Sequence, residues 1–189
     1  MKNLKTIALA FIVAAGTFTA TAQNKKINVD KSKITWVGKK VTGQHDGTIN
    51  FSSGTLVFEG KKLKGGSFEV DMTSITVADL QAGKGKEKLE GHLKADDFFG
   101  VDRHPSSTLE FKTIASKGSD VYTVTADLTI KGKKLPVTFD LAIGDGTART
   151  SFKVDRTKYG IEYGSGSFFD SLGDKAINDD FELTVVLVY

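Results

Sequence analysis

Apolar and polar side chains alternate along most of this chain with a period of two. Ile34, Trp36 and Gly38 alternate with Thr35, Val37 and Lys39. Ile49 and Phe51, then Leu56 and Phe58, carry the pattern on around a kink expected at Ser53-Gly54. Phe68, Val70 and Met72 oppose Glu69, Asp71 and Thr73, and Leu109 and Phe111 oppose Glu110 and Lys112. The cleanest run is Tyr122, Val124, Ala126, Leu128 and Ile130, each followed by a polar residue. Val137, Phe139, Leu141 and Ile143 follow, then Phe152 and Val154, and last Phe181, Leu183, Val185 and Leu187. One-sided alternation of this kind marks antiparallel strands with one solvated face. Eight strands are predicted. Their breaks, Glu59-Gly60-Lys61, Lys131-Gly132-Lys133 and Gly144-Asp145-Gly146, carry the glycines that tight hairpins need.

One helix is predicted near Lys84 to Ala95, where Leu89 and Leu93 stand four apart on one face. A polar lead-in, Ala82-Gly83-Lys84-Gly85-Lys86, precedes it. The stretch from Gly91 to Pro105 then joins this helix to an adjacent aromatic pair, Phe98-Phe99, and a proline-closed turn. Two neighbouring phenylalanines fit neither a one-sided strand nor an exposed loop. They are expected to fold back over an apolar interior, as a plug, as a cavity wall, or as both.

Strands with one apolar face must bury it, in a sandwich or in a closed barrel. A barrel leaves no free edge, and at eight strands its interior holds packed side chains or one small ligand. The inward set is rich in Phe, Leu and Val, with no buried charge evident. Alternation alone does not separate a filled core from a hollow one.

Composition narrows the compartment. Lys2 and Lys5 form a basic start, Ile7 to Ala15 is almost wholly apolar, and Ala20-Thr21-Ala22 has the small-x-small form of a cleavage site. That is the layout of a secretory signal peptide over residues 1–22, cleaved after Ala22, with one domain over residues 23–189. The apolar run is too short for a membrane span, which takes roughly 20 residues. A secreted protein of the bacterial periplasm is expected, with no integral membrane segment after cleavage. Removing Lys2 and Lys5 from 26 basic and 23 acidic residues lowers the net charge from +3 to +1. So even a balance argues against nucleic acid, which favours a clustered basic footprint. With no cysteine in the chain, disulfides, thiolate metal sites and thiol catalysis are all excluded.

Six segments in a fixed order carry a family resemblance. They are Trp36 in the first strand, His45-Asp46-Gly47-Thr48-Ile49, Gly65-Gly66 through Asp71-Met72-Thr73-Ser74-Ile75, and the Gly91–Pro105 block. Leu128-Thr129-Ile130-Lys131-Gly132 with Pro136-Val137-Thr138-Phe139, and Asp155-Arg156 with Tyr159-Gly160, complete the set. Together they resemble the YceI-like family of periplasmic lipid-binding proteins. At Ala95 the chain departs mildly from that family, which tends to have serine after the lysine. The resemblance implies an all-β fold, an eight-stranded antiparallel lipocalin-like barrel with one short α-helix between strands 3 and 4. It also implies an elongated apolar cavity holding a long amphiphilic lipid, such as a polyisoprenoid, an isoprenoid quinone or a fatty amide, carried without chemistry. No cofactor other than such a lipid is expected. Oligomeric state stays open, a homodimer included.

The residues expected to contact the apolar chain are Trp36, Phe51, Phe58, Phe68, Val70, Met72, Leu89, Leu93, Phe98, Phe99, Phe111 and Phe139. His45, His104 and Arg156 are candidates for the polar head group. For Arg156, fixing a loop is the competing and favoured role. No two of the three histidines have metal-site spacing, and Asp170, Asp174, Asp179 and Asp180 lack the order of a calcium loop. Gly164-Ser165-Gly166-Ser167 lacks the strand-turn-helix context of a nucleophile elbow and reads as a flexible loop. Two other function classes stay open: a stress-response interaction module with a filled barrel, and a hydrolase acting on lipids.

Overall fold

A computed structural model describes residues 22–189. The leader expected over Met1–Ala22 lies outside the described residues, save Ala22 itself. The described chain forms nine strands and one α-helix. They are β1 (Ala22–Lys26), β2 (Lys33–Lys40), β3 (Gly43–Glu59), β4 (Lys62–Val77), α1 (Lys86–Lys94), β5 (Ser106–Gly118), β6 (Val121–Ile130), β7 (Lys133–Gly144), β8 (Thr147–Asp155) and β9 (Ile177–Val188). Strands β2 to β9 pair antiparallel in chain order, and β9 returns to β2, so the sheet closes into an eight-stranded barrel. The ninth strand, β1, lies end to end with β2 along one edge of β3: β2 takes Gly43–Ile49 and β1 takes Thr55–Glu59. Its sequence, AQNKK, has no apolar alternation to announce it; backbone pairing with β3 holds it in place, and Lys25 reaches over the rings of Phe58 and Tyr189. Counting β1, the helix falls between β4 and β5.

Burial follows the alternation. In β6 every second residue, from Tyr122 to Ile130, is buried. Strands β3 and β4 run 17 and 16 residues and bend at breaks in their register. One break falls at Phe51/Ser53, where the kink was expected. Another lies within the Asp71–Ile75 motif. Asn50 pairs with Asp71 and Thr48 with Thr76, so β4 spends five residues where β3 spends two. Asp71 holds this bulge by accepting hydrogen bonds from Thr73 N–H (2.9 Å) and the Thr73 hydroxyl (2.6 Å). The extra length lets Met72 and Ile75 both turn inward, where they are 6% and 4% exposed.

The motif glycines make room for aromatic rings. A Cβ on Gly47 would lie 2.6 Å from the ring of Trp36, its partner across β2 and β3, and 1.8 Å from the Thr76 carbonyl oxygen. A Cβ on Gly54 would lie 2.6 Å from the Phe68 ring, and one on Gly66 2.6 Å from the Phe111 ring. Each glycine is therefore a seat for one ring of the interior.

The two ends of the barrel differ. Leu56, Phe58, Leu63 and Val124 pack solidly at one end. The other is covered by α1 with its flanking turns and by the connection from Arg156 to Ala176. Helix α1 starts at Gly85, whose φ of 99° suits glycine, and Glu87 in its first turn accepts from the Gly83 N–H at 3.0 Å. Leu93 is its buried residue. Two expectations are corrected here. The interior does hold a charge, since Arg156 is only 2% exposed. The Gly164–Ser167 stretch is also no loose loop: Ser165 is fully buried and bridges to Ile177.

Candidate functional site

Inside the covered end lie two adjoining apolar chambers and a mouth. The upper chamber, about 140 Å³, is walled by residues such as Trp36, Val70, Met72, Leu93, Phe98 and Phe99, with Arg156 at its rim. The lower chamber, about 90 Å³, is walled by Phe51, Phe68, Phe111, Phe139, Leu141 and Phe152 among others. Ile34, Val70, Ser107, Leu128 and Leu183 border both, so the two chambers, together called the channel, abut along a shared wall. Above them the mouth, about 340 Å³, is lined by Leu89, His45, His92, Tyr163 and the charged residues Lys39, Lys40, Asp174 and Lys175. The gradient is plain: polar at the mouth, hydrocarbon below.

Aromatic contacts run around the lower chamber as a girdle. Successive ring centroids are 6.1 Å apart for Phe51–Phe68, 5.6 Å for Phe68–Phe111, 6.1 Å for Phe111–Phe139 and 4.7 Å for Phe139–Phe152. Edge-to-face and offset packing at such distances keeps the rings in place without filling the space between them. Higher up, Phe98 and Phe99 meet edge to face at 5.3 Å, and the Arg156 guanidinium lies 5.8 Å above the Phe98 ring. Their turn is stapled by Arg103 donating to Asp96 (3.1 Å) and by the His92–Asp97 pair (3.3 Å).

The residues expected from sequence divide three ways. Trp36, Val70, Met72, Leu93, Phe98 and Phe99 line the upper chamber, while Phe51, Phe68, Phe111 and Phe139 line the lower one, which Val70 also borders. Leu89 and His45 line the mouth. Phe58 and His104 line none of these spaces. Phe58 packs on Tyr189 at the solid end, with Lys25 over both rings, and His104 sits against the turn glycines Gly100 and Gly132.

Charged groups at this end are held by specific partners. Arg156 donates through Nε to the Asn178 carbonyl (3.0 Å), through Nη1 to those of Ile161 (2.8 Å) and Tyr163 (2.9 Å), and through Nη2 to that of Ile177 (3.1 Å). Burial pulls its guanidinium below the usual arginine range, and the nearby Asp179 and Asp155 oppose that shift. Two carbonyls on the covering connection and two at the start of β9 thus fix Arg156 between them. His45 Nδ1 lies 2.8 Å from Asp79, which also accepts the Asp46 N–H at 3.2 Å. For the Asp79 carboxyl, burial is the largest influence and pushes upward. The hydrogen bonds from His45 and Asp46 together outweigh it and hold the group below its ordinary value.

Two hydroxyls in the channel wall escaped the sequence reading. Ser107 and Thr150 are inward-facing, and neither oxygen has a hydrogen-bond partner. Each stands two residues before an inward residue, Leu109 and Phe152 respectively, so strand parity was the available signal. Ile34, Leu128, Leu183 and Phe152 also line the channel, and all four belong to apolar faces read from the alternation.

The fold and the site thus define a class: a closed antiparallel barrel with one helix and adjoining apolar chambers inside it. Comparison with known proteins places the chain within it. Residues 25–189 match the YceI-like domain, and the chain belongs to that family. It is 29% identical over 101 residues to Protein YceI of Escherichia coli, covering 53% of this chain and 50% of that one. The alignments span about half the length of the curated relatives they match. Among solved structures it is similar to Burkholderia cenocepacia BcnA, with 23% identity, a TM-score of 0.69, and coverage of 86% of this chain and 99% of BcnA. It is also similar to a polyisoprenoid binding domain from Saccharophagus degradans, with 13% identity, a TM-score of 0.56, and coverage of 86% and 95%.

Proposed function

We propose that this protein is a periplasmic carrier, holding one long amphiphilic lipid in the channel and doing no chemistry on it. The observation that carries this reading is the stacking of two apolar chambers, with shared wall residues, beneath a mouth lined by charged side chains. An apolar tail fits the ring-lined interior, and a polar group fits the charged mouth. Burying such a tail is worth roughly 25 cal/mol per Å² of apolar surface removed from water, which favours retention over escape. The similarity to a polyisoprenoid binding domain supports an isoprenoid or comparable chain as the ligand. The chamber walls place no histidine beside Ser107 or Thr150, and this favours holding over hydrolysis. The proposed leader over residues 1–22 would deliver the chain to the periplasm.

Trp36 is the sole tryptophan and lines the upper chamber, so its emission reports occupancy. Titrating delipidated protein with an isoprenoid quinone is expected to quench that emission saturably at one quinone per chain. Emission unchanged up to the solubility limit of the quinone would count against the reading.

A further inference from the structure

The backbone ladder of the barrel is broken along one seam. Strands β7 and β8 pair only at Ala142↔Arg149, Ile143↔Ala148 and Gly144↔Thr147, the three steps next to their hairpin. Beyond them Lys133–Leu141 and Thr150–Asp155 have no pairing with each other, although β7 stays paired with β6 and β8 with β9 over the same stretch. Strand geometry shows what this leaves. In an antiparallel ladder both polar groups of a residue point to the same side, alternating along the strand. Ala142 and Gly144 bond toward β8, so residues 134, 136, 138 and 140 present their backbone to the seam. Pro136 occupies one of these positions and brings no N–H to it. Proline within a sheet is confined to such unpaired edges. The sequence itself therefore forbids a full ladder here.

The seam opens on the lower chamber. Phe139 and Leu141 line that chamber from β7, and Thr150 and Phe152 line it from β8. The rings of Phe139 and Phe152 face each other across the seam, stacked at 4.7 Å and 17°. Leu135, Val137 and Phe152 are half-buried along it, and Thr150 Oγ1 is without a partner. Its length is bounded below by the hairpin. Above, it is bounded by the turn at Arg156–Gly160, where a Cβ on Gly160 would lie 3.0 Å from Lys133 Nζ.

We infer that the β7–β8 seam is a lateral portal through which the apolar chain of a ligand passes between the lower chamber and a lipid surface. The Phe139–Phe152 stack is its gate. This inference rests on the carrier reading, and adds a second route to the mouth above. An alkyl or isoprenoid chain needs no hydrogen bonds, so it can slide between two edges that do not bond each other. Parting two stacked rings breaks no ladder.

A reversible staple tests it. The chain has no cysteine, so Thr138→Cys with Lys153→Cys gives a unique pair on the outer face, one on each side of the seam. A short bis-maleimide with a disulfide in its spacer closes the seam and is cut by reductant. The readout is transfer of dansyl-labelled geranylgeraniol from phosphatidylcholine vesicles, followed by energy transfer from Trp36. Transfer is expected to slow at least tenfold in the stapled protein and to recover on reduction in the same sample. Equal rates in stapled and reduced protein would overturn the portal while leaving the carrier reading intact. No uptake by the reduced protein would overturn both.

Discussion

Arg156 is the residue on which the covered end depends. Its planar fork reaches four carbonyls at once, on the Arg156–Ala176 connection and at the start of β9. Arg156→Leu would leave the buried Ile161 carbonyl and the three half-buried ones without this donor, and a fully buried orphan costs about 1–3 kcal/mol. A loss of stability on the order of 3 kcal/mol or more is therefore expected. Arg156→Lys should fall between, because an ammonium keeps the charge but lacks the fork. Denaturant unfolding of the three proteins checks the order; equal midpoints would contradict it. The sequence placed Arg156 at this end and weighed a loop-fixing role, yet gave no sign of its burial. Burial depends on carbonyls up to 22 residues away that only the closed chain brings together. Ser107 and Thr150 stayed hidden for a simpler reason. A small hydroxyl residue in an alternating strand reads as outward-facing unless its parity is followed.

Elements were read more fully than single contacts. The alternation in β6 alone marks an inward face, and the turn glycines mark the hairpins. Strand β1 lacked any pattern, and the five-residue bulge in β4 was invisible because a bulge breaks the very period being read. The His45–Asp79 clamp illustrates a contact between elements that spacing could not reveal. It ties β3 to the chain just past β4, and the Ala78 N–H donates back to the Asp46 carbonyl at 2.8 Å. Asp79 ionises below the ordinary carboxylate value, so in the folded state its charged form is the favoured one. Its contribution is full above the unfolded pKa of about 3.9 and is lost as pH falls through the lower folded value. Asp79→Asn should therefore lower the melting temperature at pH 7. That difference from the wild type should shrink as pH drops below about 4. Thermal melts over this range decide it, and a difference that grew with acid would reverse the sign.

At the scale of the molecule, two design demands meet in one barrel. Solid packing of Leu56, Phe58, Leu63 and Val124 secures one end, while glycines in β3 and β4 seat large rings that wall a space instead of filling it. Alternation left a sandwich or a barrel open, and the family resemblance pointed to the barrel; alternation was also silent on the space, since the same inward residues could have met across the axis. The channel arises from how the rings stand on their glycine seats, and this is a tertiary property. Among the described residues no helix is long and apolar enough to cross a membrane. The most direct test is to purify the protein from its native cells, extract it with organic solvent, and quantify the extract by mass spectrometry. One amphiphile with a long apolar chain is expected, at close to one molecule per protein. Folded protein that is silent in the Trp36 titration and empty on extraction would contradict the carrier reading.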